Sequence, residues 1–293
     1  MRSMHTACYR RKQMTATIID GKKAAERIKA RIKAEVAMLK AKPGLAAVLV
    51  GENPASKVYV DIKRKTCDEV GVYSELYKLP EETTEKELLH LIDKLNKSER
   101  IHAILVQLPL PKHISEENVL KEIAIDKDVD GFSMINVGRL ASGEETAVPC
   151  TPKGVIRLLE ENGIEVAGKN AVVIGRSNIV GKPVAMLLLN RNATVTVCHS
   201  KTRQLGEYTK GADILVVAVG KPKLVNGDMI KEGATVIDVG INRIDGKLVG
   251  DVDFESAMKK AAYLTPVPGG VGPMTVAMLI ENTLERYKEI MGK

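Results

Sequence analysis

Apolar residues along this chain follow two alternating patterns. Within 22–40 they recur at spacings of three and four (Ala25, Ile28, Ile32, Val36, Leu39), which predicts a helix ended by Pro43-Gly44. Positions 45–50 are instead an unbroken apolar run between turn residues, the pattern of a buried strand. The two signals then repeat. A helix is expected from Pro54 to near Gly71, a strand over 72–79, a helix over 84–96 capped by Thr83 or Thr84, and a strand over 103–107 stopped by Leu108-Pro109-Leu110-Pro111. After a break around Pro149-Cys150-Thr151-Pro152, a helix over 153–162 leads into a second series. Its strands are expected at 171–174, 194–198, 213–219 and 235–239, with helices at 182–190 and 274–287. Repeated β-α-β units predict an α/β fold with parallel sheets.

The length of 293 residues suits two domains, each with its own core. Aromatic residues make up 3% of the chain, with no Trp and two Phe, so those cores must be aliphatic, as in sheets buried under helices. No apolar run approaches a membrane span, and no membrane partner is expected. Cys8, Cys67, Cys150 and Cys198 are far apart, form no CxxC pair and match no zinc spacing. They read as reduced thiols of a cytoplasmic protein, with no metal site. The net charge is +7, of which +4 comes from Arg2, Arg10, Arg11 and Lys12, leaving +3 for residues 14–293. That modest excess fits anionic small ligands as easily as nucleic acid, and stacking aromatics are too few to favour the latter. Residues 1–13 read as a disordered tail, from an upstream start or an added segment, with Met14 directly before a strand-like Thr17-Ile18-Ile19.

Candidate chemistry begins at Asn53-Pro54-Ala55-Ser56-Lys57-Val58-Tyr59-Val60-Asp61-Ile62-Lys63. Asn as N-cap and Pro at the first helical position start a helix. Spacings of three and four then bring Ser56, Tyr59 and Lys63 onto one face. A hydroxyl, a phenol and an amine on one stripe can bind a polar substrate and move protons, although a Tyr/Lys pair four apart is ordinarily a solvated helix face.

In the second half, Val172-Val173-Ile174-Gly175-Arg176-Ser177-Asn178-Ile179-Val180-Gly181-Lys182-Pro183 reads strand, loop, helix. Gly175 permits a tight turn, and a helix start near Gly181 can offer free N–H groups to phosphate. The glycine spacing departs from GxGxxG, so an ordinary β-α turn stays open. The next strand ends in Cys198-His199-Ser200-Lys201, without the acid that holds ribose hydroxyls in NAD sites. Ser200 with a base, and Arg176 on the preceding loop, suit a phosphate, which argues for NADP over NAD. His199 reads as an exposed loop residue. Two more loops lie at strand ends: Val239-Gly240-Ile241-Asn242 and Thr265-Pro266-Val267-Pro268-Gly269-Gly270-Val271-Gly272-Pro273. Glycines between stiffening prolines let backbone approach a flat ligand or form a rigid hinge.

Together these blocks, with Val106-Gln107-Leu108-Pro109-Leu110-Pro111 and Asp126-Lys127-Asp128-Val129-Asp130-Gly131-Phe132, resemble the bifunctional methylenetetrahydrofolate dehydrogenase/methenyltetrahydrofolate cyclohydrolase family over about residues 14–293. The resemblance implies oxidation of 5,10-methylenetetrahydrofolate with NADP, then hydrolysis of the methenyl product to 10-formyltetrahydrofolate, in one-carbon metabolism. It implies a folate-binding catalytic domain (14–152 plus 275–293), a Rossmann-like NADP-binding domain (153–274), a cleft between them, and a homodimer through the NADP domains. By the same resemblance Lys63 is the base or proton shuttle, Tyr59 orients it and stacks on folate, and Gln107 tunes it. Asp130 accepts from pterin N–H groups, although before Gly131 it also suits a turn. Ser56, Pro268 and Gly269 are expected substrate contacts. Gly175, Arg176, Ser177, Ser200 and Ile241 are expected cofactor contacts. Two rivals remain: a dehydrogenase without cyclohydrolase activity, which the presence of Lys63 argues against, and a basic nucleic-acid-binding sensor, supported only by charge.

Overall fold

The computed structural model describes residues 15–292, so the expected tail and Cys8 lie outside the described residues. Strand β1 (Thr17–Ile18) and helix α1 (Gly21–Ala37) precede β2 (Gly44–Val50), α2 (Pro54–Val70), β3 (Tyr73–Leu79), α3 (Glu85–Lys97) and β4 (Ala103–Val106). β2 pairs in parallel with β3 on one side and β4 on the other, Val48 facing Tyr77 and Val106. Every residue of β2 is buried. Leu45 and Ala47 enter the core that also holds α1, while Ala46, Val48 and Val50 pack with Leu88 and Ile92 of α3. Burial on both faces explains the unbroken apolar run.

Two short helices missing from the sequence reading follow, α4 (Glu116–Glu122) and α5 (Met134–Ala141), then α6 (Cys150–Glu161). The second sheet contains β5 (Asn170–Ile174), β6 (Thr194–Cys198), β7 (Ile214–Val217) and β8 (Thr235–Asp238), with α7 (Gly181–Asn190) between the first pair and α8 (Leu205–Thr209) between β6 and β7. A hairpin, β9 (Asn242–Ile244) with β10 (Lys247–Val249), precedes α9 (Phe254–Ala257), β11 (Tyr263–Leu264) and α10 (Val271–Ile290). The order is β1-β11-β8-β7-β5-β6, all parallel. β1, from the extreme start of the described chain, thus joins the sheet of the second half.

The chain leaves β5 to build β6 on one side and β7 on the other. This is a topological switch point, where open α/β sheets bind ligands at their carboxyl edge. Helix α10 ties the halves together. Met274, Ala277, Met278 and Leu284 are buried in one core with Ile28 and Ile32 of α1, Val155 and Leu158 of α6, and Val173 of β5. Gly154 permits this approach, since a Cβ there would lie 3.0 Å from that of Met274.

Three helices begin earlier than the sequence pattern suggests. α6 starts at Cys150, not at 153; α7 at Gly181, not at 182; α10 at Val271, not at 274. Each carries a proline at its third position: Pro152, Pro183 and Pro273. A first-turn N–H has no partner within the helix, so proline there breaks nothing.

Candidate active site

Lys63 is one turn beyond Tyr59 on α2. The helix begins as its sequence dictates: Pro54 is its first residue, and Asn53 Oδ1 accepts from the N–H of Ser56 at 3.2 Å. Lys63 reaches across to the carboxyl end of β4. Its Nζ donates to Gln107 Oε1 at 2.9 Å, while Gln107 Nε2 donates to the Leu108 carbonyl at 2.8 Å. Gln107 is itself held in register, its N–H donating to the Val48 carbonyl at 2.8 Å.

Asp130 lines the same cavity of about 170 Å³, with Cys150, Thr275 and the Ile179-Val180 segment of the nucleotide loop. Its neighbour Asp128 forms the turn, accepting from the N–H groups of Phe132 at 3.3 Å and Ser133 at 2.9 Å and from Asn136 Nδ2 at 2.9 Å. Asp130 is left facing the cavity. Burial pushes its carboxyl up to about 6, with the Lys63 charge opposing and the Asp128 charge adding. The Cys150 thiol is raised well above its ordinary value, first by burial and then by the Asp130 charge, and its Sγ lies 3.5 Å from Asp130 Oδ1. It is a weak donor to that carboxylate, not a nucleophile.

Tyr59 lies in a second cavity, of about 360 Å³, with Ile62 on the same helix, Ile241 after β8, and Pro268 and Gly269 before α10. Burial raises its phenol pKa, so it is a donor at neutral pH. Tyr59 and Lys63 therefore share a stripe but line different cavities. Ser56 is 5% exposed at the foot of the helix and lines neither cavity. Gly269 takes φ +107°, a backbone that favours glycine, and its carbonyl accepts from Lys22 N–H at 3.1 Å.

At the switch point, Gly175 has φ +124°, and a Cβ there would fall 2.2 Å from the Ala218 carbonyl oxygen; one at Gly181 would fall 2.2 Å from that of Gly175. This close-walled turn has the form that a pyrophosphate requires. The helix end differs from expectation. Ser177 Oγ accepts from the N–H groups of Val180 at 3.1 Å and Gly181 at 3.2 Å, and its carbonyl accepts from Lys182 N–H. Those groups are already satisfied, so a phosphate would meet the loop at Gly175–Asn178 and not the Gly181 end. Arg176 and Ser200 are both exposed, each two residues beyond a register pair, Ile174 and Cys198, on adjacent strands. His199 acts locally, its Nδ1 accepting from Lys201 N–H at 3.2 Å. The loop, Arg176 and Ser200 together fit a phosphorylated dinucleotide.

Two family models match the chain: the catalytic domain of tetrahydrofolate dehydrogenase/cyclohydrolase over residues 19–130, and its NAD(P)-binding domain over residues 149–291. The chain belongs to the tetrahydrofolate dehydrogenase/cyclohydrolase family. It is 63% identical over 276 residues to the bifunctional protein FolD of Moorella thermoacetica, covering 93% of this chain and 99% of that protein. A Campylobacter jejuni FolD crystal structure superposes with a TM-score of 0.93 at 52% identity, covering 94% of this chain and 99% of that one. The Trypanosoma brucei enzyme, solved with NADP cofactor and an inhibitor, gives 0.92 at 43%, covering 95% and 99%.

Within this family fold, the sequence reading missed Cys150 and Asn282. Asn282, buried in α10, donates through Nδ2 to the carbonyls of Val129 and Val148, both at 2.9 Å, and accepts from Lys153 Nζ at 2.8 Å. It joins the segments that carry Asp130 and Cys150. Its sequence signal is the polar run Glu281-Asn282-Thr283 directly after the apolar stretch 276–280. Cys150 carried none beyond its place between two prolines. Among the described residues no helix is long and apolar enough to cross a membrane.

Proposed function

We propose that this chain oxidises 5,10-methylenetetrahydrofolate with NADP and hydrolyses the methenyl product to 10-formyltetrahydrofolate in the Lys63 cleft. The observation that carries the reading is the Lys63–Gln107 hydrogen bond at 2.9 Å beside Asp130, in a cavity also lined by the nucleotide loop. NADP, when bound, accepts the hydride. Tyr59, Pro268 and Gly269 form an apolar slot that orients the folate ring system, with Ile241 on its cofactor side, and positioning is the main requirement of hydride transfer. Asp130, ionised above about 6, accepts from the pterin amino and ring N–H groups.

Hydrolysis needs proton movement. Water adds to the cationic methenyl carbon and gives a proton to the Lys63 amine. The carbinol intermediate then collapses, its C–N5 bond breaking as N5 is protonated and the formyl carbonyl forms, with one net proton released. One N–H of Lys63 is directed at Gln107, which turns the remaining face of the amine toward the cavity. Arg176 and Ser200 hold the 2′-phosphate. Ser177 shapes the loop, and Gly175 brings its backbone close to the pyrophosphate. Ser56 supports the start of α2 beneath the substrate.

The relatives named bifunctional favour two activities over a dehydrogenase alone. The reading keeps the domain limits 14–152 plus 275–293 and 153–274, supported by the packing of α10 on α1 and α6 and by the reach of Asn282 to the Asp130 segment, with β1 (Thr17–Ile18) as the exception that joins the nucleotide-side sheet. A homodimer through the nucleotide-binding half is part of the reading: β6 is an edge strand, with Val197, Leu189 and Tyr208 exposed on and around it. Free buried thiols at Cys67, Cys150 and Cys198 suit the cytoplasm.

The test follows methenyl absorbance, with methylenetetrahydrofolate and NADP or NAD supplied separately and a second assay starting from methenyltetrahydrofolate. NADP-dependent formation with accelerated decay is expected. Formation without accelerated decay would leave a monofunctional dehydrogenase, and neither activity in folded protein would overturn the reading.

A further inference from the structure

Three loops meet beside Ile241 at the carboxyl edge of the second sheet: Val219-Gly220 after β7, Val239–Asn242 after β8, and Gly250-Asp251-Val252 after the hairpin. One side chain bridges them. Asp251, 0% exposed, accepts through Oδ2 from the N–H groups of Val219 at 2.7 Å and Gly220 at 2.9 Å, and through Oδ1 from Asn242 Nδ2 at 2.8 Å. Its own N–H donates to Asp238 Oδ1 at 3.0 Å, which also accepts from Gly240 N–H at 3.0 Å. Space around the carboxylates is closed. A Cβ at Gly240 would fall 2.2 Å from Asp251 Oδ1, and one at Gly250 would fall 1.8 Å from Asp238 Oδ2.

Two adjacent buried carboxylates are an expensive way to satisfy a few N–H groups. Desolvation penalises each ion before hydrogen bonding offsets it. Burial pushes Asp238 up to about 6, the backbone N–H groups opposing and the Asp251 charge adding. What the arrangement provides is rigidity at one place. Ile241 lies between Gly240 and Asn242, both tethered to these carboxylates, and it lines the cavity that also holds Tyr59.

We infer that Asp251 is a positioning residue for the dinucleotide, clamping Val219-Gly220 to Asn242 so that Ile241 meets the cofactor at the folate side of the cleft. The inference rests on the NADP reading above. It differs from a purely structural role in one respect: its loss should weaken NADP binding more than methenyl hydrolysis, which transfers no hydride.

The test compares the full chain, Asp251→Asn and the swap Asp251→Asn/Asn242→Asp by isothermal titration calorimetry with NADP. Methenyl hydrolysis and thermal unfolding are followed in parallel. An amide at 251 must turn its NH₂ toward either the two backbone N–H groups or Asn242, whereas the swap restores donor against acceptor. The single variant is expected to raise the NADP Kd by about tenfold or more, with hydrolysis held within about threefold, and the swap to recover most of the affinity. Unchanged NADP affinity in Asp251→Asn would overturn the inference. Parallel loss of binding, hydrolysis and stability, unrecovered in the swap, would also overturn it, by reducing Asp251 to a fold residue. If the unaltered chain binds no NADP, the functional reading fails and this inference falls with it.

Discussion

Lys63 Nζ donates to Gln107 Oε1 at 2.9 Å, and the Gln107 amide is oriented by its own donation to the Leu108 carbonyl at 2.8 Å. The second bond decides the first. With Nε2 committed to a carbonyl, Oε1 must face the lysine, so the amine is held by a neutral acceptor. A neutral acceptor aligns the amine without the full charge stabilisation that a carboxylate would add.

Lys63→Met removes the proton carrier and keeps much of the side-chain volume. Methenyl hydrolysis should fall by about a hundredfold or more, the usual scale of general acid–base catalysis, while NADP still binds. Decay of methenyl absorbance against the uncatalysed rate checks this; a retained rate would remove Lys63 from the hydrolytic step.

Gln107→Glu replaces the neutral acceptor with a negative charge. That charge favours the ammonium form, so less free amine is present at a given pH. The rising limb of the hydrolysis pH profile should move to higher pH. An unmoved profile would show that Gln107 does not tune the base.

Asp130 titrates at about 6 in the folded protein, above its ordinary 3.8. The folded state therefore holds this proton more tightly than the unfolded chain, and ionisation opposes folding as pH rises from the ordinary value through 6. Asp130→Asn should raise the thermal midpoint at pH 7 and leave it nearly unchanged at pH 4, where the carboxyl is largely protonated when folded. The same variant should raise the folate KM by about tenfold at pH 7, from loss of charge-assisted hydrogen bonds. A lower midpoint at pH 7 would contradict the burial argument, and an unchanged KM would remove Asp130 from the pterin.

Arg176→Ala should raise KM for NADP by about tenfold or more and leave NAD nearly unaffected, because only NADP carries the 2′-phosphate. Equal effects on both nucleotides would place the phosphate elsewhere.

Much of the scaffold was legible in local pattern. The run 45–50, apolar at every position, is β2, buried on both faces. Asn53-Pro54 starts α2, and Thr84 with Glu87 forms the capping box that opens α3. Helix starts containing Pro152 and Pro273 were read late, because a proline counts as a breaker until one knows that it occupies the first turn, whereas the 182–190 helix already included Pro183 and was late by the single residue Gly181. The hairpin Asn242–Val249 and strand Tyr263–Leu264 were missed. Their strands are two or three residues long, too short to establish a period.

What the sequence determined alone is therefore the order of the longer helices and main strands, the stripe that carries Tyr59 and Lys63, and the family blocks, since periodicity, caps and motifs act over a few neighbouring residues. Tertiary structure decided which groups meet. Gln107 is 44 positions from Lys63 in sequence, and Asn282 is 153 from Val129; only packing around β4 and α10 joins them. It also separated what spacing had grouped: Tyr59 faces the Pro268 loop, Lys63 faces Asp130, and Ser56 faces neither. A helix stripe fixes direction about one axis, whereas a reacting site depends on what the rest of the chain brings to face it.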